Sequence, residues 1–231
     1  MNTYEYSHNA IDDKNLYEGS YFKAYYVNDK KRDAMYLQER DRILKYFPQG
    51  GSILDVGCGV GGFLSTFDDR WKKYGVEPSD FAKDKAVKKD ITILSNVNVA
   101  GFDQFDVVVF RGSLQHINFP MEAIVQATSS LKRGGLLVIL ATPDIDSLVY
   151  KLWGNLPALD APRNWILFGS KYLVNILNRL GYVNIKVIHP YLDTPYANAL
   201  MDFSKFLISL IFGYRKFAFP GNQMEIYAVK R

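Results

Sequence analysis

A glycine-rich stretch at residues 52–64 contains the residues whose types and spacing are best suited to bind a ligand. Its sequence, S-I-L-D-V-G-C-G-V-G-G-F-L, predicts the end of a buried strand, then a glycine turn, then the first apolar positions of a helix. Glycines allow positive φ and let a ligand approach the backbone more closely than any Cβ permits, and the start of a helix presents unpaired N–H groups. A strand, a glycine turn and a helix in this order are typical of sites that cradle nucleotides.

An aspartate two residues before the first glycine narrows the choice of ligand. The spacing Gly57-x-Gly59-x-x-Gly62 satisfies the dinucleotide-binding fingerprint, which is weak evidence when it stands alone. In that fingerprint a pyrophosphate lies over the turn, and the carboxylate of Asp55 at the strand end would repel it. A cationic or neutral ligand therefore suits Asp55 better.

Four motifs follow one another over roughly residues 50–145: D-V-G-C-G-V-G at 55–61, Y-G-V-E-P-S at 74–79, a strand and its following segment at 105–117, and a glycine turn into a strand at 131–138. Together they resemble the motifs of class I S-adenosylmethionine-dependent methyltransferases. The cofactor of that family carries a sulfonium, an amino-acid end and no phosphate, which agrees with the chemistry expected beside Asp55.

The resemblance implies S-adenosylmethionine as the cofactor and S-adenosylhomocysteine as the product. Asp55 is expected to hold the ammonium end, directly or through water, and Glu77 to accept both vicinal ribose hydroxyls. Residues 95–99 offer no acidic side chain to the adenine amine, so Asn96 or a backbone carbonyl is expected to serve. The residues expected to contact the cofactor are Tyr21, Asp55, Gly57, Cys58, Gly59, Gly61, Glu77, Pro78, Asn96, Val97, Arg111, Gly112 and Ser113.

Methyl transfer from a sulfonium depends on alignment and on the exclusion of water, and a hydroxyl acceptor also needs a base. His116, just after the predicted fourth strand, is the first catalytic candidate, although in relatives this histidine often serves structure. Asp144 is the second. Asp144-x-Asp146 could hold magnesium, but two carboxylates are a poor metal signature, so no metal is predicted. The residues expected to bind the acceptor are Arg163, Trp165, His189 and Tyr191.

Alternating strand and helix patterns predict an α/β fold, with a doubly wound, mostly parallel, seven-stranded sheet, helices on both faces and an antiparallel last strand. Residues 1–48 are expected to form an N-terminal cap and helix, and residues 49–231 the main domain, with acceptor-side insertions at 144–168 and 190–221. The predicted helices are 32–47, 61–69, 79–88, 120–133, 147–153 and 170–180. The predicted strands are 53–56, 73–76, 91–94, 105–110, 136–141, 182–188 and 224–229.

The acceptor is less well specified than the donor. Residues 142–144 and 162–165 resemble a bacterial group of small-molecule methyltransferases, many of which act in sugar, polysaccharide or secondary-metabolite pathways. The prediction is O-methylation of a sugar or glycan precursor, and a phosphorylated or nucleotide-linked one would suit Arg163. The alternatives are N-methylation, a quinone-type or other lipophilic acceptor, a methyltransferase-like binding protein without turnover, and a nicotinamide oxidoreductase, which Asp55 disfavours.

The amino-acid composition excludes few classes of function. The chain has 231 residues, of which 48% are hydrophobic, and a net charge of +4 that is spread along the sequence, too mild to predict nucleic-acid binding. Its single cysteine, Cys58, permits no intrachain disulfide and suggests a reducing compartment. The first ten residues lack the pattern of a signal peptide, so a cytoplasmic monomer or homodimer is expected.

One apolar run has no place in the motifs. Residues 203–212, F-S-K-F-L-I-S-L-I-F, are too short to span a bilayer. They predict a helix that packs on the domain or lines the acceptor pocket, forms a dimer contact, or lies on a membrane surface with Lys205, Arg215 and Lys216 as its polar flank.

Overall fold

The strands and helices alternate along most of the chain, as the patterns predict. The computed structural model describes residues 4–6, 30–97, 101–156, 164, 166–192, 194, 197–212 and 217–231. The strands are β1 (Tyr4–Tyr6), β2 (Gly51–Val56), β3 (Trp71–Val76), β4 (Thr92–Leu94), β5 (Phe105–Arg111), β6 (Leu131–Pro143), β7 (Ile166–Phe168), β8 (Tyr182–Ile188) and β9 (Gln223–Lys230). The helices are α1 (Lys30–Leu44), α2 (Asp80–Val87), α3 (Pro120–Ser130), α4 (Leu148–Trp153), α5 (Ser170–Arg179) and α6 (Ala199–Phe212).

Seven strands form one sheet in the order β4-β3-β2-β5-β6-β9-β8. The pairings are parallel except for those of β9, which runs antiparallel to both β6 and β8. This confirms the predicted doubly wound sheet and its antiparallel last strand. A separate pair joins β1 to β7, also antiparallel, so the described start of the chain lies against the segment before α5. The predicted boundary at residue 48 and the two insertions stay predictions.

The apolar strand β5 explains why helices cover both faces of the sheet. Val108 and Phe110 are buried in a cluster with side chains of α3 and α5, whereas Val107 and Val109 are buried in a second cluster with side chains of α1 and α2. A parallel strand covered on both faces reads as a continuous apolar run rather than as an alternating one. Its carboxyl end is thereby held rigidly beside that of β2.

The helix predicted at residues 61–69 is wrong. The structure has a single 3₁₀ turn there, Leu64–Thr66. Phe67 takes an extended conformation, with φ −86° and ψ 137°, and its ring packs edge-on against Phe63 and Trp71 at centroid distances of 5.4 and 5.1 Å. Burial of this aromatic group outweighs the extension of the helix, because each ring removed from water contributes about 1.5–3 kcal/mol.

Candidate functional site

The predicted site segments meet at the carboxyl edge of the sheet. Asp55 lies opposite Gly75 of β3 on one side and Val109 of β5 on the other. The glycine turn begins directly after β2, and the N–H groups of Gly57 and Cys58 donate to the carbonyl of Val76 at 2.7 and 3.2 Å. The turn is thus tied to the end of β3, where Glu77 follows.

Close packing explains the first glycine of the turn. Gly57 has φ +84°, and a Cβ there would lie 2.5 Å from the Cβ of Ser113. The Ser113 hydroxyl in turn donates to the carbonyl of Val56. The turn after β2 and the segment after β5 are therefore in direct contact, which brings the two motifs into one site.

Glu77 holds the turn in place from the neighbouring strand. One carboxylate oxygen accepts from the N–H of Gly59 and the other from the N–H of Ser79, both at 2.9 Å. Ser79 caps α2, since its side chain accepts from the N–H of Ala82. Burial raises the pKa of Glu77. Each carboxylate oxygen has more than one acceptor position, so Glu77 can accept two further hydroxyl groups while it anchors the turn.

Asp55 is a buried carboxylate that lacks a hydrogen-bond partner for one oxygen. Its residue is 2% exposed, and its Oδ1 atom has no partner in the part of the chain that the structure describes. Burial raises the pKa of Asp55 to about 7. A buried carboxylate without a partner is costly, so this oxygen is suited to receive a cationic donor from a ligand.

The side chain of Arg111 makes its hydrogen bonds to another carboxylate, while its charge also attracts that of Asp55. Its Nε donates to Glu39 of α1 at 2.6 Å and its Nη2 donates to the same carboxylate at 3.3 Å, while the guanidinium lies 4.2 Å from the centre of the Tyr36 ring. Arg111 can therefore contact the methionine end of a bound cofactor with its backbone and not with its side chain. Glu39 was missed by the sequence reasoning, although a signal was present, because Tyr36, Glu39 and Ile43 share one buried helix face.

A second ion pair fastens α1 to the sheet. Arg42 donates to both oxygens of the buried Glu225 carboxylate, at 2.9 and 3.0 Å, and the hydroxyl of Tyr227 donates to the same group at 2.8 Å. Breaking a buried ion pair on one side costs about 3–5 kcal/mol. The two pairs therefore hold α1 firmly beside the 3₁₀ turn that follows the glycines.

Other predicted cofactor residues offer mainly their backbones. The Cys58 thiol is buried beneath the turn, where burial raises its pKa, so it is no nucleophile. Val97 is buried in the core, while Asn96 and Pro78 are exposed. Tyr21, Arg163 and Trp165 lie outside the described residues.

Asp144 and His189, which directly follow β6 and β8, form a pair at the same edge. Asp144 is 1% exposed, and its Oδ1 accepts from the N–H groups of Asp146 and Ser170 at 2.8 and 3.0 Å. Its Oδ2 lies 2.9 Å from Nε2 of His189, whose side chain is 39% exposed. Because an ionised carboxylate only accepts, Nε2 carries the hydrogen and Nδ1 is left as the basic nitrogen.

Both oxygens of Asp144 are already hydrogen-bonded, so the carboxylate that could have held magnesium has other partners. Among the described residues, no group of three or more His, Cys, Asp or Glu side chains is placed to hold a metal ion. The carboxylate of Asp144 instead positions His189 and joins β6 to the start of α5. Both are predicted site residues, but they are 45 positions apart in the sequence, and no motif indicates that they pair.

His116 and Tyr191, the remaining candidates, have partners of their own. His116 Nε2 lies 3.3 Å from Nε2 of Gln115, and the buried Oε1 of Gln115 has no hydrogen-bond partner in the described part of the chain. Tyr191 donates its hydroxyl to Asp202 of α6 at 3.1 Å. Gln115 was not singled out from the sequence, since a glutamine between Leu114 and His116 gives no distinct signal of its own.

The sequence matches one family model and several curated proteins. A family model described as methyltransferase domain matches residues 29–187. The sequence is 25% identical over 176 residues to the tRNA U34 carboxymethyltransferase of Desulfotalea psychrophila, an alignment that covers 68% of this chain and 55% of that protein. The chain spans about half the length of the curated relatives it matches.

Solved structures share the fold at low sequence identity. A methyltransferase from Thermotoga maritima, described as a possible histamine N-methyltransferase, superposes with a TM-score of 0.68 at 18% identity and covers 94% of this chain and 98% of its own. The magnesium protoporphyrin IX methyltransferase of Synechocystis, solved with bound S-adenosylhomocysteine, gives 0.60 at 15% identity, with coverage of 94% and 98%. These likenesses establish the fold.

Proposed function

We infer the reaction from the premise that this chain belongs to the methyltransferase domain family: it transfers a methyl group from S-adenosylmethionine to a hydroxyl of a small acceptor. The observation that carries this proposal is the Asp55 carboxylate, buried beside the glycine turn with one oxygen lacking a partner in the described structure. An ammonium group supplies the charged donor that this oxygen needs.

The residues that would hold the cofactor lie at the same edge of the sheet. Asp55 receives the ammonium, Glu77 accepts the ribose hydroxyls, and the backbone of residues 111–113 lines the methionine end. Asn96 and Val97, which follow β4, are assigned to the adenine. The cofactor, when bound, supplies a methyl group already activated on a sulfonium, so the chain has to position the acceptor and exclude water.

The acceptor's proton goes to a base of this chain. We assign that part to Nδ1 of His189, because Asp144 fixes the other ring nitrogen as the donor and so stabilises the imidazolium that forms. His116 is the competing candidate at this edge. The observation that favours His189 is its contact with the buried Asp144 carboxylate.

A methyl group fits the site better than a carboxymethyl group. A transferred carboxymethyl group carries a carboxylate, which would need a cation beside it. Among the described residues that line this site, the cation is the guanidinium of Arg111 at the end of β5, and it is paired with Glu39 and covered by Tyr36. The name of the curated relative nevertheless favours a second acceptor class, tRNA.

A transfer assay with tritiated S-adenosylmethionine decides the acceptor. The panel contains nucleotide sugars, sugar phosphates and unmodified tRNA, and label is expected in a sugar hydroxyl. Label in tRNA alone would replace the sugar by the second candidate. Label in no arm, together with intact S-adenosylhomocysteine binding, would contradict a sugar acceptor and support a binding protein without turnover.

Cofactor affinity is expected to fall with acidity. Because burial raises the pKa of Asp55 to about 7, the carboxyl is partly protonated at neutral pH, and an ammonium can pair only with the ionised form. Binding therefore releases a proton, and affinity for S-adenosylhomocysteine should drop about eightfold from pH 7.5 to pH 6. Calorimetry at both pH values, in two buffers of different ionisation enthalpy, measures the affinity and the released proton; a pH-independent affinity would contradict the role of Asp55.

A further inference from the structure

Helix α6 exposes most of its apolar side chains and buries two polar ones, which reverses the usual arrangement of a surface helix. Eight large apolar residues of this helix are between 48% and 81% exposed, whereas Asp202 and Ser209 are 2% and 1% exposed. The exposed residues are Leu200, Met201, Phe203, Leu207, Ile208, Leu210, Ile211 and Phe212. An apolar surface of this size on one helix indicates a binding partner.

The exposed residues form one continuous arc. At 100° per residue they cover about 200° of the helix circumference, and the two buried polar residues lie opposite the middle of that arc. The polar residue within the arc, Ser204, donates its hydroxyl to the carbonyl of Leu200 at 2.9 Å. The arc therefore presents an almost wholly apolar surface.

Anchoring contacts prevent the helix from rolling its arc inwards. The Asp202 carboxylate accepts from the Tyr191 hydroxyl at 3.1 Å and from the N–H of Asn198 at 2.7 Å. On the same side, the Phe206 ring stacks on Phe219 with a centroid distance of 4.7 Å. Turning the arc towards the domain would break these contacts and bring the buried carboxylate into water, so the apolar face is fixed outwards.

A neighbouring helix packs against α6 and also exposes apolar side chains. The Trp153 ring at the end of α4 packs edge-on against Phe206, with centroids 5.8 Å apart. Two leucines of α4, Leu148 and Leu152, are themselves about half exposed. Both helices belong to the acceptor-side segments that follow β6 and β8, so the apolar surface lies on that side of the molecule.

We propose that the α6 arc binds to the surface of an anionic lipid bilayer, with the helix lying in the plane of the interface. With 14 residues at 1.5 Å per residue, the helix is about 21 Å long, shorter than the ~30 Å hydrocarbon core, and no described helix is long and apolar enough to cross a membrane. The arc is twice as wide as the ~100° stripe with which a helix packs on a protein core, whereas an interfacial helix immerses a broad apolar face.

Charge supports an anionic surface. Asp202 is the one acidic residue in the sequence of α6 and is buried, so the exposed face carries no negative side chain. Lys205 lies at the edge of the arc, and the sequence continues with Arg215 and Lys216, which lie outside the described residues. Basic residues beside an apolar face strengthen binding to anionic lipids.

Flotation with vesicles of phosphatidylcholine and phosphatidylglycerol tests the proposal. The triple variant Phe203→Ser, Leu207→Ser, Ile211→Ser removes three side chains from the middle of the arc. A matched control, Val87→Ser, Phe102→Ser, Val125→Ser, removes three exposed apolar side chains elsewhere. The wild type and the control are expected to float with the vesicles, and the triple variant to partition about 100-fold more weakly.

The other outcomes overturn the proposal. A wild type that stays at the bottom of the gradient shows that the arc does not bind lipid, and equal flotation of all three proteins shows that another surface does. A wild-type dimer that the triple variant converts to a monomer assigns the arc to a second copy of the chain. S-adenosylhomocysteine binding by the triple variant verifies that it is folded, and flotation itself does not depend on methyl transfer.

Discussion

Replacing Asp55 by Asn is expected to weaken S-adenosylhomocysteine binding about 100-fold, because the ammonium loses its ionised partner in a buried site. The fold should survive, since Oδ1 has no partner in the described structure and Asn has nearly the same shape. Because burial disfavours the ionised form of Asp55 more than Arg111 favours it, the unliganded variant should be at least as stable as the wild type.

Calorimetric titration measures this loss, and two controls make it specific. Asp84→Asn changes an exposed carboxylate on α2 and should bind as the wild type does. The pH dependence of affinity should also disappear in the Asp55 variant, because the titrating group is gone. If Asp55→Asn bound S-adenosylhomocysteine as tightly as the wild type does, the assignment of the ammonium group to Asp55 would be wrong.

His189→Gln is expected to lower kcat about 1,000-fold, because the acceptor's proton then has no base. Asp144→Asn should lower kcat in the same direction through the orientation of the imidazole, so Asp144 is a positioning residue. S-adenosylhomocysteine affinity should stay unchanged in both variants. A variant that had lost its packing would lose S-adenosylhomocysteine binding together with kcat.

His116→Gln is the matched comparison for that experiment. Its ring lies at the same edge but contacts Gln115, so its kcat should stay within about threefold of the wild type. A large loss in His116→Gln with normal turnover in His189→Gln would identify His116 as the base and contradict the pairing with Asp144.

The fold and the donor side of the site could be predicted because their signals are local in sequence. Asp55 lies one residue before the end of β2 and Glu77 directly follows β3, and parallel strands bring their carboxyl ends to one edge. The glycines lie within a few residues of Asp55, so the turn and the carboxylate are necessarily close in space. The structure adds that Glu77 anchors the turn itself, through the N–H of Gly59.

Long-range pairs could not be predicted, because they depend on how the elements pack. Glu39 and Arg111 are 72 residues apart, and Arg42 and Glu225 are 183 residues apart. No spacing rule connects such residues, although a glutamate on the buried face of α1 was a sign that a partner was needed. The prediction of a helix at 61–69 was also wrong because of packing between elements. The Phe67 ring packs in an aromatic cluster with Phe63 and Trp71, which hydrophobic periodicity does not indicate.

One titration tests the central claim most directly: the wild-type protein against S-adenosylhomocysteine and, separately, against NAD. The site built around Asp55 and Glu77 predicts micromolar binding of S-adenosylhomocysteine with one site per chain, and no binding of NAD, whose pyrophosphate the carboxylate repels. Binding of NAD without binding of S-adenosylhomocysteine would contradict the account and assign the glycine turn to a dinucleotide.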